Sequence, residues 1–226
     1  MSSIIFVLAL AAAPVQLPGA PPPSQRFDYQ VRADFFAGVA GDAERLDKAI
    51  ALCERTLAEN PKHAEALVWH GAAMLVRSRG AFQKGDMAGG GQLWARGLKE
   101  MDDAVALEPD RVGVLIPRGA VLLEATRHLP PETARPLIES AVANYERALA
   151  LQRPYFDTLG DHAKGELLFG LADGYHRLGE HEKARAYFDR LIKDAPTSGQ
   201  VPKAREWMAT GAVKNAAGPT CVGCHK

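Results

Sequence analysis

Three intervals in this sequence are equal. From Ala49 to Pro61, from Gly97 to Pro109 and from Ala184 to Pro196, a small residue stands twelve places before a proline. Ala141 stands twelve before Arg153, with Pro154 one place late. This recurrence constrains the fold more than composition does, because a repeated spacing of small residue and helix stop implies a repeated supersecondary unit. From Phe27 to Thr210 the chain is rich in Ala, Leu, Glu, Arg and Lys, with apolar residues at helical spacing and no sustained alternation of period two. The expectation is an all-α fold. Ten residues after Pro61 and Pro109 come Gly71 and Gly119, small enough to let one helix lie close on another. Bulky residues, Cys53, Met101, Tyr145 and Phe188, fall between the small residue and the closing proline. Four helix pairs follow, at about 30–62, 64–109, 112–153 and 164–196.

The segment LLFGLADGYHRLGEHEKARAYFDRLIKDAP carries the register most completely. Its Leu168, Leu171, Ala172, Tyr175, Gly179, Ala184, Phe188 and Pro196 resemble the tetratricopeptide repeat, two antiparallel helices held close by small residues. The resemblance implies helix pairs stacked as a right-handed solenoid, with a concave groove that docks a protein partner.

Departures from the register are informative. Ala37 to Ala49 and Ala172 to Ala184 are twelve apart, but Gly71 to Gly97 is 26 and Gly119 to Ala141 is 22. The additions include RSRGAFQKGDMAGGGQ and RHLPPETARP, both between the two helices of a pair and so on one edge of the stack. A third, around PYFDTLGDHA, joins pairs three and four on the opposite edge. Solenoids tolerate such additions and often gather them on a working face. PKAREWMAT begins where a fifth first helix would, and residues 197–211 read as a capping helix covering the last apolar face with Trp207 and Met208. Residues 212–226 read as a flexible tail.

At the other end, Ile4 to Ala13 is an apolar run of ten residues. It suits the core of a signal peptide and is too short to span a bilayer, although no Lys or Arg precedes it. Residues 1–20 are assigned as a signal peptide and 21–29 as a proline-rich linker, which makes the protein exported, periplasmic in a bacterium. The 27 basic residues balance 27 acidic ones. A nucleic-acid partner is therefore not expected, nor a stable membrane span unless the N-terminal segment is kept.

Three cysteines are too few for a disulfide scaffold. Cys53 falls in a core slot of pair one and is expected to be an inert buried thiol. The other two stand in Cys221-Val222-Gly223-Cys224-His225, the CxxCH attachment signature of c-type haem. Two thiols at that spacing reach the two vinyl groups of one porphyrin, and the next residue, His225, is held beneath the iron as axial ligand. A zinc site would want a second CxxC, and a thioredoxin-like dithiol a preceding strand; neither is present. The resemblance to cytochromes c stops at these five residues. Only Lys226 follows in this sequence, so burial of a haem falls to the repeats, to another protein, or to nothing.

The capping helix should end at the edge where the helices of each pair join, beside the turn Tyr175–His181. A ten-residue tether reaches about 33 Å. His181 and His176 are the first candidates for the sixth ligand, then Met208, then His128 or Met87 in the insertions; an open position is the alternative. No catalytic residue emerges. His181-Glu182 lacks the second histidine of HExxH, GDMAGGGQ lacks a GK[ST] and reads as a mobile loop, and acids alternate with bases on solvated faces. His70 falls in a core slot and is expected to be packed. The leading expectation is an exported tetratricopeptide-like scaffold carrying one covalent haem c for electron transfer with a redox or assembly protein. The alternative is a non-haem scaffold whose tail cysteines bind metal or form a disulfide; a haem enzyme ranks below both.

Overall fold

The computed structural model describes residues 26–211. These are all-α, with no strand among the described residues. Four helix pairs follow one another: α1 (Phe27–Val39) with α2 (Ala43–Glu59), α3 (Ala64–Gln83) with α4 (Met87–Leu107), α5 (Val112–Ala125) with α6 (Pro131–Gln152), and α7 (Asp161–Arg177) with α8 (His181–Asp194). The last helix, α9 (Val201–Thr210), packs on α8. Residues 1–20, expected from the sequence to be a signal peptide, the CxxCH motif and residues 212–226 lie outside the described residues.

The first helices form one layer, α1 against α3, α3 against α5 and α5 against α7. Second helices form the other layer, each packed on its own partner, and α2, α4 and α6 also on the first helix of the next pair. Sequence pattern explains the layering. Helices α2 and α8 are amphipathic, burying Leu46, Ala49, Ile50 and Cys53, and Ala184, Phe188 and Leu191. Helices α3 and α7 are covered on most sides, with Ala64–Leu75 nearly all buried in α3 and Leu167–Tyr175 in α7. A helix with neighbours on three sides cannot afford a wide polar face.

Small residues set the separation within a pair. Gly71 and Gly97 lie face to face, and a Cβ built on either would come within 2.6 Å of the other's carbonyl oxygen. Tyr145 of α6 lies over both Gly119 of α5 and Gly170 of α7, so one ring fills two glycine notches. In pair one the tight approach is displaced from its expected place. Ala37 is only half-buried, and the contact falls instead at Gly38 on Leu46. The turns explain this. Gly41 and Gly179 both have positive φ and close the first helices of pairs one and four, a conformation that favours glycine. Counted from those turns, α2 has 17 residues and α8 has 14, so equal spacing to the proline conceals a helix longer by nearly one turn.

The insertions are also not the loops expected. Gly85-Asp86-Met87-Ala88-Gly89-Gly90-Gly91-Gln92 is not the mobile loop its composition suggests: α4 starts at Met87 and runs through it. Asp86 caps that start by accepting from Gly89 N–H at 2.8 Å, and Gly90 leaves room for the Phe82 ring. The added residues lengthen α3 to 20 residues and α4 to 21. In pair three the addition makes a 3₁₀ turn, Thr126–His128, and the proline-led start of α6. Helix α1 begins inside the expected 21–29 linker, because Phe27 is buried against His63 and Asp28 pairs with Arg26.

Candidate functional site

The long helices create a cavity. The C-terminal ends of α1, α3 and α5 come together at the edge where the helices of a pair are joined, around a hollow of about 870 Å³. Phe35, Phe36 and Val39 line it from α1, Leu75, Val76 and Phe82 from α3, and Ala120, Val121 and Ala125 from α5. Trp94 of α4 and Leu129, after the 3₁₀ turn, close its sides. The volume lies in the range of sites for organic ligands, about 300–1,000 Å³. Its polar groups are few. Arg79 and His128 stand on the lining, exposed and without an ion pair or hydrogen bond among the described residues, while Glu124 accepts from Arg127 at 2.8 Å.

The structure brings some of the nominated ligands together. His176 and His181 face across the α7–α8 turn with Nδ1 atoms 3.3 Å apart, one ring donating to the other. Burial lowers the His176 pKa, with nearby Asp173 opposing. The His176 ring also meets Trp207 of α9 edge-on at 5.4 Å, which places the end of α9 beside this turn. Met208 is half-buried against the core, and Met87 is exposed at the start of α4. His128 is separate from the His176–His181 pair in the sequence but joined to it through the fold. Arg177 donates to the Leu123 carbonyl at 2.6 Å and to Thr126 Oγ1 at 2.8 Å, tying the end of α7 to the end of α5. Cys221, Cys224 and His225 lie outside the described residues.

Two buried polar groups were not expected from the sequence. His70 is packed, as its slot implies, but its Nδ1 also lies 2.6 Å from Glu100 Oε2. Burial works against the charge of Glu100, yet the bonds from His70 and Arg96 outweigh it and hold the carboxyl below its ordinary range. Cys53 is buried in the same region, and desolvation, reinforced by Glu100, pushes its thiol up to about 12. Such a thiol is unreactive at neutral pH. Arg118, also buried, donates to Asp102 at 2.5 Å and to Ser140 at 3.0 Å. Both clusters join helices across the insertion-bearing pairs, and no local sequence pattern marks them.

The cavity, too, was missed. Its signal was present in the fourteen extra residues between Gly71 and Gly97, once these are read as helix rather than loop. Among the described residues, no three His, Cys, Asp or Glu side chains are close enough to hold a metal ion. No described helix is long and apolar enough to cross a membrane. The profile of the tetratricopeptide repeat matches residues 165–198, which span most of α7, all of α8 and the turn after it. Comparison with curated proteins finds no match.

Proposed function

We propose that this chain is an exported protein-interaction scaffold that carries one covalent haem c on its C-terminal tail and exchanges single electrons with a protein partner. The observation that carries this reading is the CxxCH motif, Cys221 to His225, ten residues beyond a tetratricopeptide repeat scaffold. A repeat of this type is chiefly a docking element, and the His70–Glu100 pair of the described helices is packed at the α3–α4 contact with its imidazole buried. Haem c supplies reversible one-electron chemistry at potentials set by axial ligand, hydrogen bonding and burial.

The residues divide the work. Cys221 and Cys224 anchor the group by thioethers, and His225 is its proximal ligand. His181, His176 and His128 all stand at the edge from which the tail departs, so the donor chemistry there fits a second axial imidazole. The layer formed by α1, α3, α5 and α7 presents the groove for the partner. With 27 cations balancing 27 anions, partner choice rests on shape and local patches rather than on a long-range field.

The test is protein made with c-type maturation. It should keep haem through denaturation and lose it when Cys221→Ser and Cys224→Ser are combined. Colourless protein holding one equivalent of zinc, or a Cys221–Cys224 disulfide, would instead establish the non-haem scaffold.

A further inference from the structure

We infer that the apolar cavity at the ends of α1, α3 and α5 houses the haem carried on this chain's own tail, with His128 as its sixth ligand; the inference rests on the haem reading above. A porphyrin is a flat apolar body with two carboxylates on one edge and an iron that seeks a nitrogen donor. Left on an exposed tail it would present a large apolar surface to water. The cavity offers the complement of each part. Phe36, Phe82, Trp94 and Val121 supply apolar walls. Arg79, which has no ion pair among the described residues, supplies a cation for the carboxylates, and His128 supplies an imidazole with no competing hydrogen bond there. The acid on the lining, Glu124, is neutralised by Arg127 at 2.8 Å.

Position favours this occupant over a foreign one. Helix α9 ends at Thr210 and is capped by Gly211, and its Trp207 touches His176 at the end of α7. The next residue, Arg177, is bonded to Thr126 at the end of α5, two residues before His128. The path from Gly211 to the cavity mouth therefore crosses α7 and reaches α5, about 20 Å at ordinary interhelix spacing. Nine residues lie between Gly211 and Cys221, and the ten steps from one to the other reach about 33 Å. The His176–His181 pair lies on the way, but its two rings are engaged with each other and with Trp207. Neither ring lines the apolar hollow that His128 lines.

The experiment uses the full chain carrying its haem. The ferric optical and electron paramagnetic resonance spectra should be those of a six-coordinate, bis-imidazole iron. His128→Ala should open the sixth position and raise the rate of cyanide binding at least about tenfold, since a docked ligand leaves only a minor open population. Ala120→Trp, which fills the cavity without touching a ligand, should do the same and guards against a folding artefact at His128; a thermal melt checks both variants. Covalent haem with spectra and cyanide rates unchanged in both variants would overturn the docking and leave the haem reading intact. So would spectra unchanged while an apolar partner helix loses affinity for the Ala120→Trp protein, because the occupant would then be the partner. Absence of covalent haem from the wild-type chain would overturn both readings at once.

Discussion

Pairs two and four are built on one plan and finished differently. Pair four is the segment that matches the repeat profile, and its helices have 17 and 14 residues. Its contact is aromatic and apolar: Phe169 meets Phe188 at 5.9 Å, and Phe188 meets Trp207 of α9 at 4.7 Å. Pair two has helices of 20 and 21 residues, a backbone-to-backbone approach at Gly71 and Gly97, and a part-buried hydrogen bond between His70 and Glu100. The extra turns overhang the stack and wall the cavity. Regular repeat geometry thus supplies the scaffold, and the departure from it walls the apolar hollow at the ends of α1, α3 and α5.

The two pairs differ most at their glycines. Gly97→Ala places a methyl within 2.6 Å of the Gly71 carbonyl oxygen and 2.9 Å of Leu75. The backbones of α3 and α4 must separate, and overpacking of this kind costs about 3 kcal/mol. Ala184 holds the same slot in pair four and is fully buried. There the reverse change, Ala184→Gly, should cost about 1 kcal/mol through helix propensity. Chemical denaturation of both variants measures the difference, and equal losses would mean that the two pairs are spaced alike.

Acid should separate the pairs next. Glu100 titrates lower in the folded chain than in the unfolded one. Its contribution is therefore present above the ordinary carboxylate range, about pH 4, and is lost as pH falls through its folded value. Glu100→Gln should cost about 2 kcal/mol at neutral pH, the scale of a hydrogen bond to a charged group. The gap from the parent chain should narrow as the solution is acidified. Hydrogen exchange resolved by helix should show α3 and α4 losing protection before α7 and α8. Protection that fails first in pair four would place the acid-labile contact elsewhere, with the Asp173–Arg127 pair, 3.1 Å apart, the next to test.

The sequence made the fold legible because its signals are local. Helical periodicity, closing prolines and small residues at fixed intervals each act within one hairpin, so they mark α7 and α8 closely. What it concealed is nonlocal. Glu100 lies thirty residues from His70, and nothing near either announces the other. The glycine run before Gln92 has a composition that favours turns, yet Asp86 starts a helix there and tertiary packing carries it through Gly90. The cavity needs the ends of three helices at once, and three separate segments cannot show in sequence that their ends converge. The CxxCH motif is the opposite case, five adjacent residues that suggest a chemistry without any fold and lie outside the described residues.

The smallest difference lies in how the second helices begin. Asp86 precedes α4 and accepts from Gly89 N–H, whereas Glu180, in the same place before α8, makes no side-chain cap and pairs instead with exposed Lys183. Asp86→Ala should therefore cost about 1 kcal/mol, the usual worth of an N-cap. Glu180→Ala should cost no more than about 0.5 kcal/mol, since an exposed ion pair contributes little. The inequality has a structural reason. A helix opening with three glycines in its first turns has poor intrinsic propensity, so α4 depends on its cap, while α8 opens on His181, Glu182, Lys183 and Ala184 and is held by Phe188 beneath. If the two substitutions cost the same, the start of α4 is being held by Phe82 against Gly90 rather than by Asp86, and Phe82→Ala, not the cap variant, would release it.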